Sequence, residues 1–222
     1  MSVNLHGTIT RDNLAEKCEE TARFKPHRLN LLNHLVDALD QLSLTYALDG
    51  GTLLGAWRSG KMLAWDDDVD LALYADEVQH ESSLEEKRLF LCEVASRLRP
   101  LLDEHTKVRC VTSYATKLEV YREEFGKYPF RDTDYHNVCC DLTLLLPQRG
   151  DDQVLKLQHS ALPHIENARE NFLPIDRIEY EGRVYNAPHS AQRYLQEQYG
   201  YLGENAVFDQ ETGRYVKGSD VA

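Results

Sequence analysis

Apolar residues recur along this chain at two spacings, and the spacings sketch its elements. Leu29, Leu32, Leu35, Val36, Leu39 and Leu42 fall at three- and four-residue steps. They predict an amphipathic helix that opens at Pro26 and ends at Ser43. A shorter helix-permissive piece, Asp12 to Phe24, precedes it, with Leu14, Cys18 and Ala22 on one stripe. A second long helix is predicted from Ser82 or Ser83 to about His105, with Leu84, Leu91, Val94, Ala95, Leu98 and Leu101 on its apolar face. Short apolar or alternating runs predict strands at Leu44–Leu48, Trp65–Tyr74, Lys107–Val111, Thr116–Tyr121 and Val138–Leu146. Ile175–Tyr180 and Arg183–Asn186 flank Glu181-Gly182 and read as a hairpin. Pro188 starts a last helix that Gly200 stops.

The remainder reads as connection. Phe125–Asn137 is a loop rich in Gly, Pro, Asp, Tyr and Arg, and its Lys127, Tyr128, Arg131 and Tyr135 form a candidate acceptor wall. Pro147–Asp152 is a surface turn, and the polar tail after Gly203 is expected to be loosely ordered. No linker or repeat divides the 222 residues, so one α/β or α+β domain is the simplest count.

The chemistry concentrates in Asp49–Tyr74. On a strand, residues i and i+2 share a face, so Asp66, Asp68 and Asp70 stack on one side while Val69, Leu71 and Leu73 point into a core. Like charges so close repel, and a cation would neutralise them; hard oxygen ligands suit Mg²⁺ or Mn²⁺. The plainer alternative is a solvated polar turn. Asp67 faces the other way and reads as structural. Upstream, Gly50-Gly51-Thr52 lies between a strand and a helix-like Leu53–Arg58, a context in which backbone N–H groups can face an anion. Glycine pairs are common in ordinary turns, so this signal is weak alone. Arg58 is either a phosphate fork or a surface ion-pair partner.

Asp141 lies inside the apolar run Val138–Leu146. A buried carboxylate there requires either a metal or a buried Arg or Lys. Glu119 is the reserve acid, and Lys117 is a candidate phosphate contact or a solvated strand-end lysine.

Composition narrows the classes. The 42% hydrophobic and 28% charged fractions are those of a globular protein, and the net charge of −12 disfavours nucleic acid as a partner. The 5 cysteines include no Cys-x-x-Cys pair and fit a reducing compartment. Cys139-Cys140 reads as core. The 9 histidines show no metal-binding spacing, and there is no nucleophile elbow or Walker loop. No run approaches a membrane span and the N-terminus is not signal-like, so a cytoplasmic protein is expected.

Gly51-Thr-Leu-Leu-Gly-Ala-Trp-Arg58 followed by Trp65-Asp-Asp-Asp-Val-Asp70 closely resembles the LicD/fukutin-type phosphotransferases. The similarity extends from the Leu29 helix to Tyr199-Gly200, through Phe172-Leu-Pro174 and Glu181-Gly182. Ala64 stands where the family often has proline, and no run here matches the membrane anchor of Golgi members, so a Golgi role is not expected. The resemblance implies an α+β nucleotidyltransferase-like mixed sheet flanked by helices, with a C-terminal hairpin and helix. It implies transfer of a phosphorylated small group from a CDP-linked donor to a hydroxyl acceptor such as a glycan. Asp68 and Asp70 correspond to the family's metal-binding pair, Asp141 to its third acid, and Gly50, Gly51 and Thr52 to its donor-phosphate loop. Two other readings stand beside it: nucleotidyl transfer to a small molecule or protein, and a non-catalytic nucleotide-binding module.

Overall fold

A computed structural model describes residues 13–130, 133–159, 165–203, 205–209 and 212–218. The elements run α1 (Leu14–Gln41), β1 (Tyr46–Leu48), α2 (Gly50–Ser59), β2 (Asp70–Tyr74), α3 (Leu84–Leu98), β3 (Thr106–Val111) and β4 (Lys117–Arg122). They continue with β5 (Lys127–Phe130), β6 (Thr133–His136), β7 (Cys139–Gln148), β8 (Asp151–Leu157), β9 (Asn167–Ala168) and α4 (Arg169–Phe172). The chain closes with β10 (Asp176–Tyr180), β11 (Arg183–Ala187), α5 (Ala191–Tyr199), β12 (Ala206–Asp209) and β13 (Arg214–Lys217).

The fold is α+β, as expected. Its centre is a mixed sheet in the order β1-β2-β7-β4-β3, with β8 and β9 continuing from β7. Among the described strands of this sheet, β2 and β7 are the one parallel pair, and they bring Asp70 opposite Asp141. On the apolar side, Leu71, Leu73, Leu142 and Leu144 join Leu31, Leu35 and Leu39 of α1 in one core. The expected hairpin (β10–β11) and last helix (α5) are both present.

Five expectations about elements are corrected. Pro26 does not separate two helices; α1 is one 28-residue helix with Pro26 inside it. The proline costs one backbone bond, to the carbonyl of Ala22. Both residues are exposed, so water can reach that carbonyl. Tertiary anchors on either side hold the helix together: Thr21 Oγ1 and Arg28 Nη1 both donate to the carbonyl of Asp66, at 2.7 and 3.0 Å.

Those bonds also explain why the expected strand Trp65–Tyr74 begins only at Asp70: the Asp66 carbonyl is taken by α1, not by a neighbouring strand. The helix expected to run to His105 ends at Leu98, where a 3₁₀ turn over Arg99–Leu101 accommodates Pro100. Its start at Ser83 is a full capping box with Glu86. The segment Phe125–Asn137 is not a plain loop. β5 and β6 form a hairpin in which Tyr128 opposes Tyr135. Arg131 lies outside the described residues. The tail expected to be loose forms the β12–β13 hairpin, and Arg214 there caps α5 by donating to the carbonyls of Gln196 and Glu197 at 2.7 Å. β8 was not anticipated; it completes a tight hairpin with β7 across Gly150, whose φ is +81°. Among the described residues, no helix is long and apolar enough to cross a membrane.

Candidate active site

The site forms where the polar face of the sheet meets the start of α2. Register pairing places Asp70, Asp141, Glu119 and Arg109 in one row across β2, β7, β4 and β3. Paired residues on neighbouring strands share a face, so these four charged side chains line one side of the sheet. Asp68 joins the row from just before β2. Oxygens of Asp68, Asp70 and Asp141 lie within 4.8 Å of one another, the one group among the described residues arranged to hold a metal ion.

Each acid is held differently. Thr52 Oγ1 accepts the N–H of Asp70 at 3.0 Å, so the buried threonine fixes the backbone of a cluster acid. Lys117 and Tyr135 both donate to Oδ2 of Asp141. The other oxygen, Oδ1, is buried and has no hydrogen-bond partner among the described residues. Asp66 turns its carboxylate toward Gly51, and its Oδ2 is likewise buried without a partner. Asp67 accepts from Tyr128 Oη at 3.2 Å and lies 3.9 Å from Lys17, in keeping with a structural part.

The double glycine makes room for these acids. Gly50 has φ +54°, and a Cβ there would sit 2.5 Å from Oδ2 of Asp70. A Cβ on Gly51 would sit 2.8 Å from Oδ1 of Asp66. The glycines are therefore the first turn of α2 itself, pressed against carboxylates, and not a loop preceding it. The positive end of the helix faces the acids. Asp49, at the N-cap, is buried and accepts from Gln198 Nε2 at 2.8 Å.

The electrostatics follow from crowding. Burial, then the charges of Asp70, Asp67, Asp141 and Asp66, hold the Asp68 carboxyl well above its ordinary range. Burial, then Asp141, Asp66 and Asp49, do the same to Asp70, with Lys117 opposing. Asp66 is pushed up to about 7 by burial and Asp67, against the pull of Arg28. A divalent cation reverses this logic by supplying the missing positive charge. The orphaned Asp141 oxygen and the all-carboxylate donor set fit such an ion.

The other predicted residues are placed as follows. Arg58 is in the last turn of α2, about 12 Å along the helix from Gly50, and donates to the carbonyl of Leu202 at 3.1 Å. Lys117 is buried, with its ammonium on Asp141 and 4.8 Å from the ring centroids of both Tyr114 and Tyr135. Glu119 is fully buried; Arg109 donates to it, and His136 Nδ1 lies 3.0 Å away. Of the two readings of Asp141, the buried lysine pair is present on Oδ2, while Oδ1 has no partner among the described residues.

Sequence reading missed Tyr135 as a partner of Asp141, and Thr21 and Arg28 as anchors of the acidic segment. Nothing local signals the last two, which lie on a distant helix. The aromatic content of Phe125–Asn137 was the one available hint of the first.

Comparison with known proteins identifies relatives of this chain. Human ribitol 5-phosphate transferase FKRP (Homo sapiens) is 26% identical over 170 residues, covering 75% of this chain and 30% of FKRP. The lipopolysaccharide cholinephosphotransferase LicD of Haemophilus influenzae is 39% identical over 51 residues, covering 23% of this chain and 19% of that protein. The chain thus spans less than a third of the length of these relatives. Among solved structures, Escherichia coli MS115-1 CdnC with ATP covers 67% of this chain and 44% of its own, at 17% identity and a slight TM-score of 0.31. The family described as LicD/FKTN/FKRP, nucleotidyltransferase domain, matches residues 43–190, from the entry to β1 to the turn before α5. With that match spanning well over half the sequence, and the acid cluster inside it, the chain belongs to the LicD/FKTN/FKRP nucleotidyltransferase-domain family.

Proposed function

We propose that this chain is a divalent-cation-dependent transferase. It moves a phosphorylated small group, such as phosphocholine or a phospho-polyol, from a CDP-linked donor to a hydroxyl acceptor of the glycan type. The observation that carries this reading is the convergence of Asp68, Asp70 and Asp141 beside the N-terminus of α2. Relatives named as ribitol 5-phosphate and choline phosphate transferases support the choice of transferred group.

Asp68, Asp70 and Asp141 would hold Mg²⁺ or Mn²⁺, which supplies charge neutralisation for the donor phosphates and lowers the pKa of the acceptor hydroxyl. The chain's own residues do the positioning. Thr52 fixes Asp70 through its backbone, and Gly50 and Gly51 let the first turn of α2 approach the acids closely. That turn offers backbone N–H groups to donor phosphate oxygens. Asp141 keeps Oδ2 on Lys117 and Tyr135, which leaves Oδ1 as its reactive oxygen.

The test is a thermal-shift screen of CDP-choline, CDP-glycerol, CDP-ribitol, ATP and CTP with and without Mg²⁺, followed by mass spectrometry of the products. Mg²⁺-dependent stabilisation by a CDP-alcohol, and a product heavier by the phospho-alcohol, is the expected result. A product heavier by a nucleoside monophosphate would instead favour nucleotidyl transfer, the activity in the family's description. No Mg²⁺-dependent nucleotide binding at all would leave a binding module with no catalytic role.

A further inference from the structure

Lys117 and Tyr135 end on the same atom, Oδ2 of Asp141. Lys117 also donates to Tyr135 Oη, so the three groups close a triangle. All three residues are at least nine-tenths buried. A carboxylate held by one oxygen can still turn about its Cβ–Cγ bond, but two donors converging on that oxygen fix the plane of the group. The fixed plane leaves Oδ1 buried and without a partner among the described residues, on a residue whose carboxylate lies within 4.8 Å of those of Asp68 and Asp70.

From this we infer that Tyr135, with Lys117, is a positioning residue for the cation site: it clamps one oxygen of Asp141 so that the other is aimed into the acid cluster. The inference deepens the proposed metal-dependent transfer and rests on it. It also gives Lys117 a part that its burial allows, since an ammonium seated between Asp141 and two tyrosine rings is not presented to a phosphate in solvent.

The β5–β6 hairpin delivers the clamp. Tyr135 and Tyr128 are register partners with ring centroids 5.9 Å apart. Their hydroxyls part: Tyr128 goes to Asp67, which is outside the metal-binding group, and Tyr135 goes to Asp141, which is inside it. The same arm therefore supplies both the device and its internal control.

Tyr135→Phe removes the hydroxyl and keeps the ring against Tyr114 and Tyr128. Oδ2 of Asp141 still has Lys117, so no buried acceptor is stripped and the protein is expected to fold. Groups that orient metal ligands are worth about 10–100-fold in metal affinity. The full 222-residue chain is titrated with Mn²⁺ and free Mn²⁺ is read by electron paramagnetic resonance. The expected result is Mn²⁺ binding weakened about ten-fold in Tyr135→Phe, with an unchanged apo melting temperature and turnover restored by raising Mn²⁺. Tyr128→Phe is expected to bind Mn²⁺ like the parent. Parent-like affinity in Tyr135→Phe, or equal weakening in Tyr128→Phe, overturns the clamp while leaving the transferase reading intact. Failure of the parent chain itself to bind Mn²⁺ overturns the transferase reading and the clamp with it.

Discussion

Two acidic sites lie side by side on one face of the sheet, and they are opposites. Glu119 is fully buried, yet Arg109 and His136 meet its carboxylate oxygens, and Tyr121 stacks on His136 with ring centroids 3.7 Å apart. One strand away, Asp141, Asp70 and Asp68 have, among the described residues, one direct cation, Lys117, and leave a buried oxygen unmatched. Both clusters offer carboxylates beside a basic residue to a motif search. What separates them is satisfaction. Glu119 already has the charge it needs, and the trio is left short of positive charge among the described residues. Local crowding that a folded protein does not relieve is a better mark of a functional site than the number of acids.

That contrast can be broken in several places. The largest effect is expected from Asp70→Asn. Turnover should fall by at least about a hundred-fold, the scale on which preorganised electrostatic groups act, and Mn²⁺ binding should be lost. Removing a crowded charge should meanwhile raise the apo melting temperature. A variant that kept full turnover would remove the trio from the mechanism.

Glu119→Gln should show the reverse pattern. It strips Arg109 and His136 of their charged partner and should cost about 1–3 kcal/mol of stability, measured by urea unfolding. Mn²⁺ affinity should stay within about two-fold, because Glu119 lies outside the group arranged to hold a metal and its carboxylate is already paired. Loss of Mn²⁺ binding here would bring Glu119 into the cation site.

A smaller effect is expected from pH. Asp66, Asp68 and Asp70 have folded-state pKa values above their unfolded values, so the folded chain holds more protons than the unfolded chain near neutrality. Apo stability should therefore fall as pH rises from the ordinary carboxylate range through about 7, the value for Asp66. Melting curves between pH 6 and 8 should show a decline of a few degrees, about 2–4 °C per kcal/mol at this chain length. Saturating Mg²⁺ should flatten it. An apo melting temperature that rises over this range would contradict the crowding.

The smallest change is expected from Arg58→Ala. The guanidinium lies at the far end of α2, on the Leu202 carbonyl. Donor KM should move by less than about two-fold, the ±0.5 kcal/mol typical of an exposed position. A ten-fold rise in donor KM would return Arg58 to the phosphate site.

Much of this was legible in the chain, for identifiable reasons. The pairing of Asp68 with Asp70 followed from two-residue alternation, and it survived although the strand begins only at Asp70. Asp141 stood out because a carboxylate inside Val138–Leu146 has to be compensated. Local pattern could not say that Lys117 and Tyr135 would share one oxygen of that group and leave the other without a partner among the described residues, because the answer depends on the side-chain geometry of β4, β6 and β7. The role of Gly50 and Gly51 was legible as an anomaly but not as a cause. Their lack of side chains serves the carboxylates of Asp70 and Asp66, and the sequence does not reveal that close approach. The β5–β6 hairpin was hidden because its strands carry polar and aromatic residues and no apolar alternation.

The bonds from Thr21 and Arg28 to the Asp66 carbonyl bear on where the working unit ends. The family match begins at residue 43, after α1, yet both donors come from α1, one on each side of Pro26. A chain trimmed to residues 43–190 would keep every cluster acid and lose the struts beneath the segment that carries Asp68. The smallest piece that recognises as family and the smallest piece that holds its acids in place are different lengths of chain.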